Sequence, residues 1–172
     1  MEKFRTLKAD EIDCRVSQIA SNYCTLLLYK DARVDMNVLD ESVGAMNWQK
    51  HYLRDNANCI VAIFDEDKGE WIEKEDTGTE SFTEAEKGLA SDSFKRACFN
   101  WGIGRELYTA PFIWVSADKT KVNQGNNNKW TCGDKFRVGK ITYDSNGHID
   151  GLVILNKDNK QVFIQMPKEG SR

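Results

Sequence analysis

One segment of the chain reads at helical period while almost everything around it reads as short strands, and that contrast constrains the fold more than any other feature. Between Thr83 and Gly104, Ala90, Phe94, Ala97, Cys98 and Trp101 fall at i, i+4, i+7, i+8 and i+11, one apolar stripe at about 100° per residue. TEAE at Thr83–Glu86 offers a capping box, the Thr83 hydroxyl accepting from the Glu86 amide while the Glu86 side chain returns to Thr83. Gly102 and Gly104 end the helix. Its stripe needs a sheet to pack on.

The strands are supplied on both sides. YCTLLLY (Tyr23–Tyr29) is too short and too rich in strand formers for a buried helix. Trp48–Arg54, Asn58–Phe64 and Glu70–Asp76 read as three antiparallel strands, the last two joined by the turn-forming DEDKG. After Pro111, FIWV (Phe112–Val115) reads as a further strand. KFRVGKITYD, HIDGLVILN and QVFIQM read as three more, with Asn146-Gly147 at the first hairpin tip. NQGNNNKW (Asn123–Trp130) is polar and asparagine-rich enough to read as a loop. Two small helices complete the expectation: Asp10–Ile19, and one through Met36, Leu39 and Val43 capped by Gly44. The fold class is α+β, an antiparallel β-meander packed against one long α-helix with a C-terminal β-hairpin or meander extension. Residues 1–111 form the core and 112–172 the extension of the same domain.

At 172 residues with 40% hydrophobic content, one such domain can bury a sizeable core. The five cysteines, Cys14, Cys24, Cys59, Cys98 and Cys132, include no CxxC pair, so neither a disulfide framework nor a zinc site is indicated. No apolar run approaches the roughly 20 residues of a membrane span, and a cytoplasmic protein with no membrane partner is expected. The net charge of −3 hides segregation: residues 1–63 carry 8 basic and 9 acidic side chains, 64–86 carry 2 and 10, and 87–172 carry 14 and 8. A basic surface can therefore coexist with an acidic one, a division that also suits head-to-tail contacts between subunits.

Enzymatic chemistry finds few candidates. There is no GxxxxGK[ST] phosphate loop, and GIGREL at Gly102 lacks the third glycine and preceding strand of a dinucleotide site. His51 and His148 lie on different strands without ligand spacing. Asp65, Glu66, Asp67, Glu73, Glu75 and Asp76 resemble a two-metal cluster in composition, but three fall in a turn and Glu73 and Glu75 alternate like a half-exposed strand. DSNG (Asp144–Gly147) lacks the terminal glutamate of a calcium loop. Trp48, Trp71 and Trp101 fit core packing better than base stacking. No catalytic residue, metal or cofactor is assigned.

The helix face away from the stripe is unusual. Gly88, Asp92, Lys95, Arg96 and Phe99 share it, with Leu89 and Asn100 at its edge. In a purely structural reading Lys95 and Arg96 complement the helix dipole and Asp92 pairs with Arg96 at i+4. In a functional reading the cations meet phosphates and the aromatic meets a base, as single-stranded nucleic acid requires. In a third, Leu89 and Phe99 join subunits.

Tyr29, Arg33-Val34, Leu39, Val43-Gly44 and Trp48, then Asp76-Thr77-Gly78, then Ala90-x-Asp92-x-Phe94-Lys95-Arg96-Ala97 and Trp101-Gly102 resemble, in order and spacing, the annealing core of the Rad52/Rad22 recombination family, closest to its short phage and prophage versions. The likeness covers roughly Tyr29–Tyr108, and the segment after Pro111 matches nothing in it. It implies an oligomeric ring whose groove holds single-stranded DNA with its bases presented for pairing, so that complementary strands anneal without ATP in homologous recombination and double-strand-break repair. By position, Lys95 and Arg96 would contact phosphates and Arg33 would contribute from the loop before the small helix. Where eukaryotic-type relatives place a third cation, this chain has Phe99. Either Arg105, basic and close to the helix end, replaces that charge or the groove relies more on stacking. The DNA-binding set is Arg33, Lys95, Arg96, Phe99 and Arg105, with single-stranded DNA and a homo-oligomer as partners in a bacterial host cell. The chain lacks the long recombinase-recruiting tail of larger relatives, which leaves a single-strand binding protein or recombinase partner open. The alternatives are a passive single-strand binder and an oligomeric scaffold without annealing.

Overall fold

A computed structural model describes residues 4–79, 85–125 and 128–167. Strands dominate it, accompanied by two α-helices. The chain divides into two units: Lys30–Arg105 with the N-terminal residues to Thr6, and Leu7–Tyr29 with Glu106–Arg172.

In the first unit, α1 (Ala32–Val43) starts where the Asp31 carboxylate accepts from the Arg33 amide at 2.7 Å. It stops at Gly44, whose φ of 85° frees its N–H to reach the Asp40 carbonyl at 3.1 Å. The expected stripe of Met36, Leu39 and Val43 is rotated: Leu39 is buried with Val38 and Asp35, while Met36 and Val43 are half-buried. Strands β3 (Trp48–Leu53), β4 (Asn58–Asp65) and β5 (Glu70–Thr77) form the expected antiparallel meander, with Trp48 opposite Ile63 and Phe64 opposite Trp71.

Helix α2 (Ala85–Trp101) packs on β4 and β5, and Phe94, Ala97 and Cys98 join Val61, Ala62 and Ile63 in the core. Gly102 and Gly104, at φ 100° and 73°, end it as expected. The expected capping box at Thr83–Glu86 lies outside the described residues. Trp48 stacks on Phe94 with ring centroids 6.1 Å apart, and the Trp101 indole donates to the Val61 carbonyl at 2.9 Å. Trp71, expected in the core, is instead 41% exposed on edge strand β5, where it meets Phe64 edge-on at 5.5 Å.

The second unit holds a six-stranded antiparallel sheet in the order β11-β10-β9-β1-β2-β6. Its members are β1 (Asp13–Ile19), β2 (Tyr23–Tyr29), β6 (Ile113–Ser116), β9 (Phe136–Tyr143), β10 (Ile149–Asn156) and β11 (Gln161–Gln165). The expected helix over Asp10–Ile19 is therefore wrong: a 3-10 turn covers Ala9–Glu11, and the rest is β1, with Cys14 opposite Leu28 and Val16 opposite Leu26. The expected loop over Asn123–Trp130 is corrected at its two ends, where Asn123, Gln124 and Trp130 lie in strands. Strands β7 (Val122–Gln124) and β8 (Trp130–Cys132) pair antiparallel, because Asn and Gly serve a tight ribbon as readily as a loop. At the β9–β10 hairpin Gly147 takes φ 81°, and the Asp144 carboxylate accepts from the Asn146 and His148 amides at 2.8 and 2.9 Å.

Candidate nucleic-acid interface

The outer face of α2 is organised by the segment that follows β5. At Gly78 a Cβ would lie 2.5 Å from the Ser93 nitrogen and 2.8 Å from the Leu89 carbonyl oxygen, so only glycine lets the chain press this closely on the helix backbone. The contact is held on either side. Thr79 donates to the Asp92 carboxylate through its amide at 2.9 Å and its hydroxyl at 3.1 Å. Asn100 donates to the Glu75 carbonyl at 2.9 Å and the Asp76 carboxylate at 3.2 Å. Asp92 therefore does not take the expected i+4 partner, and Arg96 turns to Asp76 instead, Nε to Oδ1 at 3.4 Å.

That pairing orients Arg96 without consuming it. One nitrogen meets the carboxylate, the side chain is 44% exposed, and the rest of the guanidinium fork makes no hydrogen bond among the described residues. Lys95, half-buried beside it, has no side-chain ion pair among the described residues. Adjacent cations, one steered by a carboxylate and one unsteered, suit an extended chain of phosphates.

Beneath this face lies a group that sequence reasoning missed. Lys30, between β2 and α1, is 1% exposed and forms an ion pair with Asp35, which is 0% exposed. Its ammonium sits 4.1 Å from the centroid of the Phe99 ring and reaches the Lys95 carbonyl at 3.4 Å. One lysine thus ties the start of α1 to the Lys95 and Phe99 turn of α2. Burial drives the Asp35 carboxyl up to about 6, against the pull of Lys30 and then of Lys95. Phe99 is half-buried and backs the Lys30 cation.

The far end of α2 is closed by two more cations. Arg105 donates to the Phe99 carbonyl at 3.1 and 2.8 Å and to the Asn100 carbonyl at 3.0 Å. Lys74 donates to the Asn100 carbonyl at 2.9 Å, with its ammonium 4.5 Å from the Trp101 ring. Both satisfy carbonyls that a helix end leaves open and oppose its negative pole. Arg33, in the first turn of α1, is 84% exposed, with its Nε 3.9 Å from Asp31. The structure thus places the adjacent Lys95 and Arg96 one turn before Phe99 on one helix and Arg105 at its end, while Arg33 stands on α1, which packs beside α2.

The acidic residues are dispersed in local roles. Asp65 accepts from the Asp67 and Lys68 amides at 3.1 and 3.2 Å in the β4–β5 turn, and Asp76 serves Arg96. Burial pushes the Cys59 thiol up to about 11, with Lys50 opposing, and holds the Cys98 thiol well above its ordinary value, so neither supplies a thiolate.

Residues 59–129 match the model of the Rad52/22 family double-strand break repair protein. Over that stretch, less than half of its length, the chain is similar to the Rad52/22 family. The match takes in β4, β5, the Gly78 contact, α2 and Arg105. It begins later than the sequence resemblance and runs on past Pro111 to Lys129, so part of the segment that resembled nothing belongs to this Rad52/22 region. Arg33 and Lys30 fall outside it. No curated protein and no solved structure matches the chain. No helix among the described residues is long and apolar enough to cross a membrane.

Proposed function

We propose that this protein acts as a Rad52/22-type annealing protein: it binds single-stranded DNA along the outer face of α2 and promotes the annealing of complementary strands without ATP, as a phage or prophage recombination protein working as a ring of identical subunits. The observation that carries the reading is the Lys95–Arg96 pair, with Arg96 aimed through its Nε by Asp76 and the rest of its fork unpaired among the described residues. The work is positional. Cations offset phosphate repulsion, Phe99 and its buried Lys30 keep the helix turn rigid beneath them, and the bases stay free to sample a complement. Arg33 extends the cationic track from α1, while Arg105 anchors the helix end and adds charge there.

The test is annealing of two fluorescently labelled complementary strands in EDTA without ATP, comparing wild type with Lys95→Ala/Arg96→Ala. Arg96 and Asp76 form a partly exposed pair, so the double variant loses at most about 1 kcal/mol of stability and remains folded. Wild type should accelerate annealing and the variant should not. The slope of log affinity against log salt should shrink by about 0.7 for each phosphate that the variant no longer neutralises. Equal annealing and an unchanged slope in the folded variant would remove α2 from the site.

A further inference from the structure

The six-stranded sheet of the second unit has one face, largely exposed apart from the buried Thr25, on which large apolar side chains stand among charged ones. Residues directly opposite in a ladder share a face. Trp114 stands opposite Thr25, Arg15 opposite Leu27 and Asp13 opposite Tyr29; Asp13 also stands opposite Arg137, and Val153 opposite both Lys140 and Ile164. The other face holds Leu26, Leu28, Ile113, Val138 and Ile154, all buried. On the open face Leu27 is 46% exposed, Trp114 44% and Tyr29 37%. A solvated antiparallel face would carry polar residues at these positions.

The large side chains are arranged with cations among them. Tyr23 and Trp114 lie 5.9 Å apart with ring planes 30° from parallel. Arg15 lies 5.5 Å from the centroid of the Tyr29 ring. Arg137 is held by Asn159 at 2.7 Å and remains exposed, as does Lys140. Along these strand pairs three cations face one carboxylate, Asp13.

We propose that this face is a base-stacking surface for single-stranded DNA, separate from α2, on which Trp114 and Tyr29 offer rings to bases while Arg15, Arg137 and Lys140 meet phosphates. Rings flanked by positive charge match the two recurring features of an unpaired strand, its base faces and its phosphates. From β6 to β9 the surface crosses three strand spacings of about 4.8 Å each, room for a few nucleotides. The inference rests on the DNA-binding reading above but uses different residues.

Two variants of the full chain test it by fluorescence anisotropy with labelled oligothymidylate: Trp114→Ala, and the charge-only variant Arg15→Gln/Arg137→Gln/Lys140→Gln, whose sites are exposed and tolerate the change. Trp114→Ala should weaken binding by about 5-fold or more, with Trp114→Phe restoring it. The charge variant should shrink the salt slope by about 2. Failure of wild type to bind any strand would sink this inference together with the α2 reading. Binding by wild type that depends on Lys95 and Arg96 but is unchanged in both sheet variants would overturn the sheet surface alone. Unchanged binding with a smaller assembly by light scattering would also overturn it, making the face a contact between copies.

Discussion

Replacing Lys30 with methionine should cost more stability than any comparable change on the surface of α2. Lys30 and Asp35 are buried together, and Asp35 Oδ2 has no hydrogen-bond partner among the described residues. In Lys30→Met the carboxylate keeps its desolvation penalty and loses its counter-charge, a loss of about 3–5 kcal/mol for a buried pair. The packing term stays small because methionine nearly conserves the volume, while taking the cation away from the Phe99 ring adds about 1 kcal/mol. Against a total of about 5–15 kcal/mol for a typical domain this is a large fraction. Asp35→Leu alone should cost a similar amount by stranding the ammonium, yet Lys30→Met/Asp35→Leu should return to within about 2 kcal/mol of wild type. Urea unfolding at neutral pH, read by tryptophan fluorescence with the m-value held as a check, gives all four corners of the cycle. Single costs below about 1 kcal/mol, or single costs that simply add in the double variant, would refute the buried coupling.

The same pair gives a pH signature. The folded Asp35 carboxyl is raised from 3.8 to about 6, so its contribution to stability is fully present below pH 3.8 and is lost as pH rises through about 6. Asp35→Asn should flatten that part of the stability profile; a profile with the same slope in the variant would assign it to other groups. Gly78→Ala should destabilise by about 1–3 kcal/mol, because the added carbon meets helix backbone rather than a movable side chain. An unchanged urea midpoint would contradict the close approach.

Helix α2 was legible because its stripe answers to one partner surface, and Phe94, Ala97 and Cys98 bury as their spacing requires. Strand β1 was not, since Ile12, Val16 and Ile19 fall at i, i+4 and i+7, mimicking a helix face, while the strands that decide the matter, β2 and β9, are chosen by tertiary pairing. The site divides in the same way. Lys95 and Arg96 stand out on a wheel, whereas Lys30 reads as an ordinary solvated lysine at a strand end. Its burial depends on Asp35 and Phe99 converging on it from two different helices. Asp76-Thr77-Gly78 showed in the resemblance as a pattern, but its purpose, a close approach at Gly78 and an aimed Arg96, needed three dimensions.

The sheet order also bears on how the chain leaves the ribosome. Strand β1 is made well before its partner β9, which lies beyond the whole first unit, so Asp13 and Cys14 wait for Arg137 and Phe136. At about 5–20 residues per second the delay is on the order of ten seconds. During it the β1–β2 hairpin shows one unpaired edge on β1 and another on β2, each a template for intermolecular pairing. Lys30–Arg105, by contrast, is complete as soon as α2 emerges. A shortened chain ending near Pro111 would keep α2 and strand the hairpin permanently, so excision at the unit boundaries is the cut that respects the fold.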